Sequence, residues 1–127
     1  MAWEHRYLPE SRILVVTVTG LVTRPLWERQ LRASLEEAVH NACYRFFVDY
    51  RQADVKLGLI DLYERPATYE VVGMPRSARI ALMFRPGAKD TEFIQTVTAN
   101  RGYSVRIFEN QEEAIAWLTR PGGISRD

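Results

Sequence analysis

Apolar residues along the chain recur at every second position in some stretches and at every third or fourth in others. These two periods separate strands from helices. Arg45–Arg51 (R-F-F-V-D-Y-R) sets three aromatics and a valine in seven residues, which predicts a strand. Arg12–Thr19 is a β-branched run ended by Gly20. Trp3–Leu8 alternates ahead of it, and Pro9-Glu10-Ser11 between them reads as a turn, so the two predict a hairpin. Arg79–Phe84 (R-I-A-L-M-F) and Ser104–Phe108 (S-V-R-I-F) are two further strands.

Helical spacing fills the intervals. Thr23 is placed to cap a helix from Arg24, with Trp27, Leu31, Leu35, Ala38 and Val39 as its apolar side and Asn41 as its stop. Gln52–Leu57 reads as a loop. Gly58–Glu64 is a short helix that Pro66 interrupts, and Ala67–Val72 is a second piece closed by Gly73 and Pro75. Asp90 is placed to cap a helix reaching about Arg101, with Gly102 beyond it. Asn110 and Glu113 form a capping-box pattern for a last helix that carries Ala114, Trp117 and Leu118 inward; Pro121-Gly122-Gly123 ends it, and the tail to Asp127 is expected to fray.

The order β-β-α-β-α-β-α-β-α predicts an α/β fold spanning 1–127 as one domain. Its core is a single mixed, mostly parallel five-stranded sheet in order 1-2-3-4-5, with only the first strand antiparallel. Arg45–Arg51 is then an interior strand. Alternation splits the strands into two sets. Leu14, Val16, Val18, Phe46, Val48, Tyr50, Ile80, Leu82, Phe84, Val105 and Ile107 form an apolar face under the helices. The opposite face has an apolar middle (Val15, Phe47, Ala81, Met83, Phe108) and a rim of Arg45, Arg51, Arg79, Arg85 and Arg106. Crossovers of one hand put their helices on one side. The second face is therefore expected to be open and to meet a protein partner or a second copy of the chain, as a homodimer. The bland alternative is that Gln111–Thr119 folds over it.

Composition narrows the function. The 127 residues are 46% apolar and 26% charged, and 17 Lys+Arg against 16 Asp+Glu leave a formal charge of +1, which argues against a nucleic-acid binder. No apolar run is long enough for a membrane span, and M-A-W-E-H-R is not a signal peptide. Cys43 alone allows neither an internal disulfide nor a multi-thiolate zinc site and fits a reducing, cytoplasmic setting.

Candidate chemistry is sparse. His5 lacks an evident partner, and His40 sits where a helix C-terminus favours a cation. No nucleophile–histidine spacing and no phosphate-loop glycine pattern occurs, and Asp61, Glu64 and Glu70 read as the wet face of a helix rather than a metal triad. Asp49 stands out as a carboxylate among large apolar residues near the C-terminal end of a central strand, where open α/β sheets place their ligand crevice. Arg51 shares its strand face and is its expected partner. Asp49, Arg51, Asp54, Phe47, Met83 and Arg85 are the candidate ligand- or partner-binding residues; no catalytic, metal or cofactor residue is assigned.

The segments V-D-Y-R at 48–51, D-L-Y-E-R-P at 61–66, R-I-A-L at 79–82, A-N-R-G-Y-S-V-R-I-F at 99–108 and E-E-A-I-A-W-L at 112–118 resemble, in order and spacing, the STAS domain superfamily. The resemblance is nearer to its SpoIIAA-like branch of small bacterial proteins, the fold of the anti-sigma-factor antagonists. It implies a β/α superhelix and regulatory protein–protein contact or, in relatives, binding of nucleotides or lipids. Phosphorylatable antagonists carry an Asp-Ser-Ser-Gly-type turn where the helix after the central strand begins. Here that region reads R-Q-A-D-V-K-L-G, without serine or threonine. The expectation is a non-enzymatic regulatory or interaction module without that switch. The rival is a binder of a small apolar or anionic ligand, a lipid or nucleotide, in a crevice near Asp49 that Tyr63, Tyr69 and Leu57 would line. An enzyme built on Asp49 and Arg51 is a third, remoter reading.

Overall fold

The computed structural model describes residues 1–88 and 90–121. Strand β1 (Ala2–Leu8) pairs antiparallel with β2 (Ile13–Val22). Parallel strands β3 (Arg45–Val55), β4 (Arg79–Phe84) and β5 (Ser104–Phe108) follow in the order β1-β2-β3-β4-β5. This is the expected sheet, with Arg45–Arg51 at its centre. The connections are α1 (Arg24–Asn41), the pair α2 (Leu59–Tyr63) and α3 (Arg65–Val72), and α4 (Thr91–Ala99), while α5 (Gln111–Thr119) is the last element among the described residues. No helix among the described residues is long and apolar enough to cross a membrane.

Two strands run further than their patterns suggest. β2 continues through Gly20, whose φ of +83° suits glycine and whose missing side chain lets the Met1 backbone approach. β3 absorbs the segment expected as a loop: Gln52, Ala53, Asp54 and Val55 pair with Thr19, Gly20, Leu21 and Val22. Before that, Thr17 pairs with Asp49, so one residue of β2 faces two of β3 in a bulge. The extra residue reverses the alternation. Tyr50 faces the core before the bulge, and Ala53 and Val55 face it afterwards.

The main core lies between one sheet face and α1–α4. Leu14, Val16, Phe46, Val48, Ile80 and Leu82 meet Trp27 and Leu31 of α1, Leu62 of α2, Tyr69 of α3 and Ile94 of α4. The inward stripe of α1 follows Trp27, Leu31, Ser34 and Ala38, which leaves Leu35 half-buried and Val39, expected inside, 62% exposed. Thr23 stands at the N-cap without a side-chain bond, and Ala42, just past Asn41, takes the left-handed turn that ends the helix. Asp90 likewise precedes α4 without a capping bond, and that helix stops at Ala99. Gly122–Asp127, expected to fray, lies outside the described residues.

The second sheet face is not open. Helix α5 lies on it, and Ala114, Trp117 and Leu118 enclose Ile13, Phe47, Ala81, Met83 and Phe108 in a separate core. Phe47 and Met83 are each only 3% exposed, so they do not form a docking surface for a partner or a second copy. The reason is topological. Handedness confines a helix that connects two parallel strands, whereas α5 is not such a connection among the described residues and covers the remaining apolar face. Asn110 starts it by accepting the Glu113 N–H at 3.0 Å.

Part of the arginine rim, Arg79 and Arg106, serves that helix. Arg79 donates through Nη1 to the carbonyls of Trp117 and Arg120, each at 2.8 Å, and through Nη2 to that of Pro121 at 3.2 Å. These are carbonyls that a helix C-terminus leaves without partners. Arg106 lies 5.3 Å from the Phe108 ring centre and 5.8 Å from that of Trp117.

Candidate functional site

The parallel strands end on one side of the sheet, where open α/β folds gather their binding loops. A cleft of about 590 Å³ opens there between the β3–α2 and β4–α4 connections. That volume lies in the range that takes a small organic ligand. Tyr50, Ala53, Leu57, Leu62, Phe84 and Ile94 make it apolar, and Asp54, Lys56, Arg85 and Asp90 add charge. The Tyr50 and Phe84 rings stack at 5.2 Å with 7° between their planes. Across Arg85–Ala88 lies a second cleft of about 560 Å³, lined by Arg51, Met83, Ile107, Phe108 and Glu109 together with that loop.

The candidate residues divide between these features. Asp54 and Arg85 line the first cleft; Arg51, Met83 and Arg85 line the second; Asp49 and Phe47 line neither. The expected crevice over Asp49 is thus displaced. Asp49 is on the α5 side of the sheet, whereas the first cleft is on the Tyr50 side. Of its expected lining only Leu57 is present. Tyr69 is fully buried in the core and Tyr63 is 65% exposed. Arg85 is largely committed to structure, since its Nε donates to the Ala53 carbonyl at 3.1 Å and Nη2 donates to the same oxygen. The basic turn that begins at Arg85 includes Lys89, which lies outside the described residues.

Asp49 and Arg51 do pair. Arg51 Nε and Nη2 donate to Asp49 Oδ1 and Oδ2, each at 2.9 Å, and the Arg51 backbone N–H donates to Oδ1 at 2.9 Å. Side-chain capture of that N–H is what a bulge permits, because it breaks the regular ladder there. Arg51 Nη2 also donates to Gln111 Oε1 at 3.3 Å, at the start of α5. Burial pushes the Asp49 carboxyl up, but the Arg51 bonds outweigh it and hold it below its ordinary value. The pair anchors a strand bulge to α5 through the Arg51 contact with Gln111.

Asp49→Ala is therefore expected to cost about 1–2 kcal/mol, in the lower part of the range because Arg51 is 42% exposed. A carboxyl held low in the folded state stabilises the fold above its unfolded value, and that contribution disappears as pH falls through the folded value. The gap between wild type and Asp49→Ala in urea unfolding should be present at neutral pH and close in acid below the ordinary aspartate range. A gap that stayed constant into strong acid would count against the pairing.

The remaining candidates are structural. Arg24 joins α1 to the α2–α3 junction, donating to Glu28 at 3.0 Å, to Asp61 at 3.4 Å and to Glu64, while Glu70 pairs with Arg76 and Arg101. His5 has the partner its sequence context did not show, since its Nε2 shares a 2.8 Å hydrogen bond with Ser34 Oγ. Burial lowers its proton affinity, against a smaller opposing pull from Glu37. The Cys43 thiol is buried and donates to the Arg12 carbonyl at 3.0 Å. Gln30, Ser34 and Arg65 are buried polar residues that sequence reasoning missed. The first two fall on the Trp27–Leu31–Ala38 stripe and were open to discovery by spacing; nothing local marks Arg65.

No family profile and no curated protein matches the sequence. Among solved structures, the chain is similar to the anti-sigma factor antagonist SpoIIAA in its unphosphorylated form, with 16% identity, a TM-score of 0.54, and 92% of this chain and 97% of that one covered. It is also similar to an uncharacterised protein of the DUF3478 family from Shewanella loihica PV-4, described as having a SpoIIAA-like fold, with 18% identity, a TM-score of 0.60 and 92% of each chain covered. The chain has the SpoIIAA-like fold.

Proposed function

We propose that the chain is a non-enzymatic, cytoplasmic regulatory module that works by binding another protein at the α2 end of the sheet. One observation carries this reading. Leu59, Ile60 and Tyr63 are 55%, 72% and 65% exposed on the five-residue helix α2. Three large apolar side chains left to water within five residues form the kind of patch that marks an interaction surface. The patch adjoins the β3–α2 connection, where the resemblance puts the phosphorylatable turn of the antagonists. Residues 52–58 contain no serine or threonine, so contact here is not switched by phosphorylation at that turn. Asp54 and Arg85 at the neighbouring cleft form the polar edge of the proposed surface.

The test compares wild type with a variant carrying Leu59→Asp, Ile60→Asp and Tyr63→Ser. Both are expected to fold alike by circular dichroism, because these side chains are exposed. Affinity capture from the native host should recover a specific protein with wild type and lose it with the variant. Identical captured sets would overturn the reading. The second reading, a small apolar or anionic ligand, is favoured by the 590 Å³ cleft with its apolar wall and Lys56 and Arg85 at its edge. Native mass spectrometry distinguishes the two, through a bound small mass for the ligand and a protein complex or a second copy for the module.

A further inference from the structure

The two edges of the sheet differ. At β5, α4 packs alongside, and Gln95 Oε1 accepts the Ile107 backbone N–H at 2.9 Å, which covers part of that edge. At β1 nothing comparable occurs among the described residues. Its backbone pairs with β2, and its one other backbone hydrogen bond is the turn contact in which the Leu8 carbonyl accepts from the Arg12 N–H at 2.8 Å. An antiparallel strand turns every second N–H and C=O away from its neighbour, so the outer side of β1 carries a row of these groups. The register with β2 is unbroken from Ala2 to Leu8, without the bulge or proline that keeps many edges from pairing.

The side chains of β1 alternate between the two sheet sides. Trp3, His5 and Tyr7 stand half-buried opposite Val18, Val16 and Leu14, on the side of the main core. Glu4 and Arg6 are exposed on the other side, and among the described residues no ion pair involves either. A strand that pairs antiparallel with its own copy does so about a two-fold axis. Facing side chains must share a sheet side, so the axis passes through a residue position. An axis at Glu4 sets Glu4 against Glu4, and an axis at Arg6 sets Arg6 against Arg6; like charges directly opposite are destabilising. An axis at His5 sets Glu4 against Arg6 twice and Trp3 against Tyr7 twice. It also engages the whole strand, from Ala2 against Leu8 onward, whereas axes nearer either end engage less of it. The charges that would guard this edge against other strands are thus complementary to themselves.

We propose that β1 is a docking edge for β1 of a second copy, antiparallel about a two-fold axis at His5, which joins two five-stranded sheets into one. Backbone bonds supply the contact, and the Glu4–Arg6 pairs set its register. The edge shares no residue with the α2 patch, so this contact stands apart from the function proposed above.

The test is sedimentation equilibrium from micromolar to millimolar protein, with circular dichroism as the check on folding. The wild-type mass should pass from 14.7 kDa toward twice that value. Glu4→Arg and Arg6→Glu each turn both facing pairs into like charges and should weaken association by at least about tenfold. Both positions are exposed, so both variants should fold. An equimolar mixture of the two variants restores opposite charges at both pairs and should associate about as tightly as wild type. The variant carrying Leu59→Asp, Ile60→Asp and Tyr63→Ser should dimerise as wild type does, which separates this contact from the α2 patch. A dimer that neither charge reversal weakens, or reversals that mixing does not rescue, would overturn the proposal. A wild type that stays monomeric throughout would also overturn it and leave the edge to a strand of a different protein.

Discussion

Phe47→Glu is expected to unfold the protein. Phe47 is 3% exposed in the middle of β3 and is enclosed by Ile13, Ala81, Met83 and Phe108 of the sheet and by α5. Losing the aromatic contacts costs about 3–5 kcal/mol, the range for large-to-small aromatic substitutions. An unpaired carboxylate at the same site adds several kcal/mol more. Together these approach the roughly 5–15 kcal/mol that holds a typical domain folded. Burial would raise the pKa of the new carboxyl, so the damage should be greatest at neutral pH and lessen in mild acid. Near-UV circular dichroism should be lost at neutral pH, whereas Phe47→Leu should keep the native spectrum. A folded Phe47→Glu protein with a native near-UV spectrum would mean that the second face is open after all.

The next largest effect is expected from Trp117→Ala, at about 3–5 kcal/mol in urea unfolding. Trp117 is 8% exposed; its ring lies 5.6 Å from that of Phe108, with Arg79 5.9 Å and Arg106 5.8 Å from its centre. The substitution opens the space between α5 and the sheet and removes the surface over which both arginines lie. Because Trp117 and Phe108 touch, their effects should not add. A double-mutant cycle with Phe108→Leu should give a coupling of about 0.5–3 kcal/mol. A loss below about 1 kcal/mol for Trp117→Ala would show that α5 contributes little to the second core.

The two substitutions bear on how much of the structure was legible beforehand. Arg79–Phe84 and Ser104–Phe108 stand as strands with the bounds their patterns predict, because both are short apolar runs with clear breaks. The inward triplet of α5, Ala114, Trp117 and Leu118, was legible from helical spacing. So was the Asp49–Arg51 pair, since same-face neighbours two apart on a strand can meet. The continuation of β3 was hidden by Gln52, Asp54 and Lys56, whose polarity resembles a loop. Their alternation with Ala53 and Val55 was the available signal, but the bulge had shifted it out of phase with Phe46, Val48 and Tyr50. The crevice expected over Asp49 does not coincide with the main cleft, and here the bulge plays no part. Strand parity puts Asp49 on the α5 side, and the main cleft opens on the other.

By itself the sequence determined the elements, their order and the two apolar sets of the sheet, because periodicity is a property of local backbone geometry and crossover handedness is general. It also determined that the second set had to be buried. Tertiary structure alone decided what buries it. An apolar face with an arginine rim suits a partner, a second copy or the chain's own last helix equally well. Only the placement of α5, with Arg79 on its terminal carbonyls, identifies the occupant. Tertiary structure likewise decided that Arg65 lies inside, between Trp27 and Tyr69. Its sequence neighbours Glu64 and Pro66 show nothing of this, because burial of a charge depends on residues far away along the chain that close around it.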